Sequence, residues 1–510
     1  MLLITLMEAI MLLAGVANPE ELDESEIERY TALSEHKLQL NSASRSRLLS
    51  CGLMDGYQVA SILDYRSRTG NILSFSELAL IDGIGAATAE ALKHFVDLKE
   101  SSGDNFTPGG SLRTLGGIRG DPWNAGKAPE YCYGIKLKVE AGDRAMVSWA
   151  VKGSWSKPEF TPGSFSVLYN GKNGRWKIVA GDFNARFGQG LAVWSGFSMS
   201  GFSSVSAFSK KQSGISASTS WSSALRGVAG SFEAGRFIFN GGIFIDGLRG
   251  LMDYGKKRAL SPYGCLNMNY SWKSGNAGLS LVAGPGSCVV SSDWRMGWKG
   301  LSFFGELAWD FPARSPAVYA GLSWKPAYGW AIAANGRYYP GGFSALFSGA
   351  PGQGSRNRDE TGSGLTAECP WGSVAYDWCM APSGKSDTHR IIVRGSRDFK
   401  LAGGQLGLSP GARLALRFKT KPSGELRTDV RAELATSYRE WSAAFRYNWI
   451  QCNGTAWLWY AEAGRKSECW SAWLRFTLFK VDSWDDRIYA WERDLPGGFS
   501  VPAFYGRGLR

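Results

Sequence analysis

Long apolar runs are nearly missing from this 510-residue sequence. Beyond the first 17 residues, no stretch approaches the about 18 consecutive apolar residues that a membrane-spanning helix needs, which excludes helical spans. Histidine is scarce, with only His36, His94 and His389, so a multi-histidine metal centre is excluded. The eight cysteines are Cys51, Cys132, Cys265, Cys288, Cys369, Cys379, Cys452 and Cys469. No two stand at CxxC spacing, and eight in a chain this long do not make a disulfide scaffold. They are expected as packed, mostly free thiols. There is no G-x-S-x-G elbow, and Gly109-Gly110 and Gly116-Gly117 fit neither nucleotide-loop template. Neither a metal nor a cofactor is implied.

Aromatic residues and glycine take the place of what is lacking. Aromatics are 13% of the chain (22 Trp, 19 Tyr, 26 Phe), and the 65 glycines are close to one residue in eight. So many aromatics exclude a disordered chain, and so much glycine argues against a helical bundle. From about residue 131 the pattern has period two. Ile135-Lys136-Leu137-Lys138-Val139-Glu140 alternates apolar with charged, Phe445, Tyr447 and Trp449 alternate with Arg446 and Asn448, and Leu474, Phe476 and Leu478 alternate with Arg475 and Thr477. Such alternation marks strands with one apolar and one polar face. Turns such as Asn173-Gly174, Ser274-Gly275-Asn276 and Pro422-Ser423-Gly424 separate the runs.

Both a soluble multi-sheet domain and a membrane barrel yield that alternation. Segments long enough to cross a bilayer as tilted strands favour the barrel. So do aromatics near strand ends: Trp155, Trp309, Tyr338, Tyr339, Trp441 and Trp484. The expected fold is mainly β with a small all-α N-terminal domain, followed by a large antiparallel transmembrane-type β-barrel of roughly twenty strands. Residues 1–17 read as a signal peptide, with a short buried helix as the alternative, and 18–37 as an acidic helical segment or linker. A helical domain is expected over 38–99, a linker over 100–130 and the barrel over 131–510. Residues 1–100 carry 8 basic and 15 acidic side chains, leaving the remainder 49 basic against 30 acidic. The basic surplus therefore belongs to the β region.

Within 38–99, Ser74 and Glu77 have capping-box spacing, and Gly83-Ile84-Gly85 opens a helix. The segment Leu40-Asn41-Ser42-Ala43-Ser44, the helix end Ile62-Leu63-Asp64-Tyr65-Arg66, the connection Phe75 to Ile81 and the Gly83-Ile84-Gly85 turn resemble the tandem helix-hairpin-helix domain of ComEA-like competence proteins. In that family a hairpin offers backbone N–H groups at a helix N-terminus to a DNA phosphate. The resemblance implies phosphate contacts at Gly83, Ile84, Gly85, Ala86 and Thr88, and at Gly52, Leu53 and Gly56 of the first hairpin, with Arg45 and Lys93 as supporting cations. Ile84 would pack between the helices. Met54 and Asp55 depart from the pattern, and the seven basic against six acidic residues of 37–99 give little electrostatic pull on DNA. Two readings stay open: non-specific DNA binding, which would serve DNA uptake, and an outer-membrane scaffold or pore whose hairpin domain docks an envelope protein. The first partner is DNA, the second a protein; outer-membrane lipid is a partner in both.

Gly181-Asp182-Phe183-Asn184-Ala185-Arg186-Phe187-Gly188-Gln189-Gly190-Leu191 with Trp194, and Asp486-Arg487-Ile488-Tyr489-Ala490 with 499–506, resemble segments of a Bacteroidetes-type envelope family that joins a hairpin domain to a long β region. That implies an exported envelope protein and identifies no activity; no enzymatic role is expected. Asp182 with Arg186, and Asp486 with Arg487 and Glu492, could serve as catalytic carboxylates; self-satisfied charge pairs on barrel strands are the plainer reading. His389 is expected at the surface.

Overall fold

The computed structural model describes residues 6–14, 22, 24–35, 37–99, 108–119, 130–142, 144–154, 163–171, 174–195, 202, 204–218, 224–246, 261–327, 329–353, 357–383, 386–396, 399–401, 406–408, 410–421, 423–452, 454–467, 470–492 and 501–510. Trp155 lies outside these.

Six helices come first: α1 (Leu6–Ala14), α2 (Glu24–Glu35), α3 (Arg45–Ser50), α4 (Gly56–Thr69), α5 (Phe75–Leu80) and α6 (Gly85–Leu92). Each short helix has a local reason to start. The Ser44 side chain accepts from Arg47 N at the head of α3. Asp55 and Gln58 exchange hydrogen bonds in a full capping box on α4. Ser74 caps α5 through Glu77 N, while the Glu77 carboxylate reaches back to Leu73 N rather than to the cap residue. A two-residue parallel pair, Leu38–Gln39 with Val96–Asp97, ties the ends of the unit together. Leu48, Leu53, Met54, Ile62, Ile72, Leu78, Ile84 and Leu92 form its core. Helix α1, in the stretch expected as a leader, is buried through Ala9, Ile10 and Leu13, the conformation of the uncleaved chain.

The rest is a closed barrel. Among the described residues, 25 strand segments form one closed sheet, and 21 of them are seven to thirteen residues long. Neighbours are antiparallel and almost all consecutive in sequence, as expected. One boundary needs correction. The stretch 100–130, expected as linker, contains the barrel strand Pro108–Arg119, paired from Pro108 opposite Ala141 to Arg119 opposite Glu130. Its glycines remove the side chains that would show period two, while the backbone ladder needs none of them. Closure is also unlike a long terminal strand. The short strand Gly506–Leu509 pairs with the end of Ser471–Val481 and stands next to Pro108–Arg119 in the sheet order.

The outward face is apolar, as alternation requires: Leu137, Val139, Val147, Trp149, Phe303, Leu307, Leu365, Phe445 and Phe476 are exposed. Trp309, Tyr338, Trp441 and Trp484 are exposed too, in keeping with the expected aromatic girdle. Tyr339 is not; it turns inward, fully buried, and donates to Pro351 O at 2.7 Å. The interior holds a second core in which Phe183, Phe187, Leu191, Phe304, Tyr319 and Phe343 pack together. The six described cysteines are all free, as expected.

Candidate functional site

Antiparallel strands place successive connections at alternate ends of the barrel. At one end the described turns include short ones at 235–236, 273–274 and 299–300; at the other lie the described stretches 187–195, 204–213, 340–353 and 482–492. The helical unit meets the short-turn end through both of its hairpin tips.

The first tip lies between α3 and α4. Gly52 has φ +66°, and a Cβ there would stand 2.7 Å from the Arg29 guanidinium carbon, so only glycine fits. Leu53 and Met54 are fully buried, and Asp55, which would repel a phosphate, is instead the helix cap. Gly56 lies against the Asn276 amide, at the start of the barrel strand Gly275–Gly284. Arg45 Nη1 donates to Gly235 O at 3.1 Å, and Ser46 N donates to the Glu233 carboxylate at 3.1 Å. Burial pushes the Cys51 thiol pKa above its ordinary value, so Cys51 is a packed, unreactive thiol.

The second tip lies between α5 and α6. Gly83 has φ +82° and packs on the Tyr57 ring, where a Cβ would come within 2.8 Å. The Tyr57 hydroxyl is pushed up to about 12, mainly by burial and then by the neighbouring Asp82 charge. Lys325 Nζ of the barrel donates to Gly83 O at 3.2 Å and to Ile84 O at 3.4 Å. The same ammonium lies 4.0 Å from the Cβ position of Gly85. Ile84 is fully buried in the helical core; Ala86 and Thr88 are half-buried on α6. Lys93 is paired with Glu90 at 2.6 Å. Gly52, Gly56, Arg45, Gly83, Ile84 and Gly85 are thus brought together as a seat on the barrel or as helical core. Lys93 is engaged within its own helix.

Two segments enter the lumen from the opposite end. The motif 181–194 ends one strand and turns inward, where Glu306 accepts from Gln189 N at 2.6 Å and from Leu191 N at 3.1 Å. Asp182 is held by Arg226 at 2.7 Å, and Arg186 binds Ser195 O at 3.0 Å and faces Glu26 of α2 at 3.6 Å. The 3-10 turn Val205–Phe208 then touches α1, with Ser206 Oγ donating to Leu12 O at 2.8 Å. The second segment, 482–492, is strapped inside by arginines of the wall. Arg427 pairs with Asp486 at 3.6 Å, Arg446 donates to Tyr489 O at 2.8 Å, and Arg475 donates to Trp491 O at 2.5 Å. Glu492 pairs with Arg510 at 2.8 Å, and Arg487 donates to Trp484 O. Every carboxylate singled out as a catalytic candidate is an ion-pair partner, and the two sets do not meet. His389 is on the outward face, with Tyr376 OH at 2.8 Å and Asp387 at 3.2 Å. Among the described residues no cluster of His, Cys, Asp and Glu has metal-site geometry. The seat residues Glu233, Asn276 and Lys325 were not legible beforehand, because nothing local in their strands marks a partner some 190 to 240 residues away.

No family model matches the chain, and no curated protein does. Among solved structures it is similar to OccK3 (OpdO) of Pseudomonas aeruginosa, at 9% identity and TM-score 0.31, covering 72% of this chain and 94% of that one. It is also similar to a BenF-like porin from Pseudomonas fluorescens Pf-5, at 10% identity and TM-score 0.30, covering 73% and 98%. A third is the P pilus usher (PapC) translocation pore, at 10% identity and TM-score 0.33, covering 73% and 95%. Likeness this low carries no functional inference, so the chain's own contacts must supply it.

Proposed function

We propose that the chain is an outer-membrane-type β-barrel conduit closed by its own N-terminal helical unit, with the inward loop and the C-terminal strap completing the closure. The observation that carries this reading is the seat: the first residues of α3 bond Glu233 and Gly235 of the barrel, and the second hairpin tip gives two backbone carbonyls to Lys325. The second tip already lies against the barrel at Lys325, which supports the pore-or-scaffold reading better than DNA contact. The apolar outward face supports lipid as its surroundings. The helical unit lies at the short-turn end, which in outer-membrane barrels faces the periplasm.

The test is conductance of the full chain in planar bilayers. Lys325→Glu replaces a cation held by two carbonyl oxygens with a group that repels them, and Glu233→Lys repels Arg45 and removes the acceptor of Ser46 N. The wild type is expected to be mostly closed, and the double variant to open at least several-fold more often. Equal, unaltered conductance in both would refute the plug. A gel shift with duplex DNA on the same detergent-solubilised protein is expected to show no binding for either form.

A further inference from the structure

Three parts of the chain leave a small polar cavity where they meet. Ser46 and Leu49 of α3 form one side, Gln212 and Ser213 of the stretch 204–213 another, and Lys177 and Asn269 of the barrel wall a third. Its volume is about 20 Å³, which admits one water-sized guest and no polyatomic one.

The groups around the cavity are rich in donors. Lys177 stands in the strand Trp176–Arg186 opposite Ser231, and its neighbours Trp176 and Ile178 are exposed on the outer face, so its own side chain is turned inward. Among the described residues its ammonium has no ion-pair or hydrogen-bond partner. Ser213 Oγ and Asn269 Nδ2 are buried without a hydrogen-bond partner, in residues only 2% and 4% exposed. The Asn269 carbonyl oxygen faces away, towards Ser271 Oγ at 3.4 Å.

No acid is among the described residues that line the cavity. The two carboxylates that touch its lining residues are directed elsewhere: Glu26 faces Arg186 at 3.6 Å, and Glu233 accepts from Ser46 N at 3.1 Å. Arg186, the second cation of the lining, donates to Ser195 O and lends the cavity charge only. Lys210 and Lys211, just before Gln212, donate to Gly349 O and Leu13 O and add to the positive field. An unpaired lumenal ammonium and two orphaned donors are each costly, and one small anion among them answers all three.

We propose that this cavity binds a single chloride ion, held by Lys177 Nζ, Ser213 Oγ and Asn269 Nδ2. The ion clamps α3, the stretch 204–213 and the wall together. The site rests on the cavity and its donors; only the consequence for closure of the barrel rests on the conduit reading.

Bromide is the probe. Crystals of the full chain in detergent, grown with bromide in place of chloride, are expected to show an anomalous peak in the cavity, within hydrogen-bonding distance of Lys177 Nζ and Ser213 Oγ. In Lys177→Met the peak should vanish. In solution, hydrogen exchange of the α3 amides is expected to be at least several-fold slower in chloride than in gluconate of equal ionic strength, with a saturable dependence on chloride. Ser213→Ala, which keeps every charge, should move the chloride midpoint about tenfold higher, in line with loss of one hydrogen bond to a charged partner. Lys138→Gln, on another stretch of wall where Lys138 is paired with Glu140, should leave it unchanged. Heat-dependent gel mobility confirms that each variant is folded. Neither measurement needs an open pore, so failure here and failure of conduction are separate results. A wild-type cavity that holds water and gives no anomalous signal, or an equal peak in Lys177→Met, overturns the site; equal exchange in the two salts overturns the clamp.

Discussion

Glu77 closes the second hairpin by accepting from the Tyr65 hydroxyl and from Leu73 N. These two bonds, that from Tyr65 first, hold its carboxyl below the usual carboxylate range. A carboxylate lowered in this way contributes stability at neutral pH and loses it as pH falls through its folded value. Hydrogen exchange of the α5 amides, corrected for intrinsic rates, is therefore expected to show protection falling away below about pH 4.5, the ordinary carboxyl region. In Tyr65→Phe that acid-dependent part should shrink. Identical profiles in the two proteins would contradict the assignment. Residue-scale chemistry of this kind was partly legible. Ser74 and Glu77 announced their cap by spacing alone, and Ile84 its burial by resemblance. Asp55 was read as a defect in a phosphate site, because its capping partner Gln58 matters only once α4 is known to begin at Gly56.

At the scale of elements, strands announce themselves and inward turns do not. Alternation through Phe445, Tyr447 and Trp449 reports a local property, which face each side chain takes. Gly188 to Trp194 has no such pattern, since its fold depends on one carboxylate more than a hundred residues away. The strand Pro108–Arg119 was missed for a related reason: glycine supports a ladder without marking a face. Tyr339 was misplaced because an aromatic near a strand end serves an inner core as readily as an outer girdle. The dependence on Glu306 is testable. Glu306→Ala leaves Gln189 N and Leu191 N buried without their acceptor, costing about 1–3 kcal/mol per group. Limited proteolysis should then cut within 187–213 at least several-fold faster than in the wild type. Unchanged resistance would mean that packing of Phe187 and Leu191 alone holds the loop.

At the scale of the molecule, three separate parts of one chain converge on one lumen: the helical unit from the short-turn end, and the described stretches 187–195 and 204–213 and the 482–492 strap from the other. Charge on the inner wall serves this convergence, with the strap drawn in by Arg427, Arg446 and Arg475. Along the described strands the outward surface is mainly apolar and aromatic, and everything said of a lumen depends on lipid covering that surface. Extraction of the full chain from membranes, followed by gel electrophoresis with and without heating, tests this most directly. The expected result is a requirement for detergent, with an unheated form that migrates faster than the boiled one. A monodisperse, fully folded protein in detergent-free buffer, with no heat-dependent change in mobility, would contradict it.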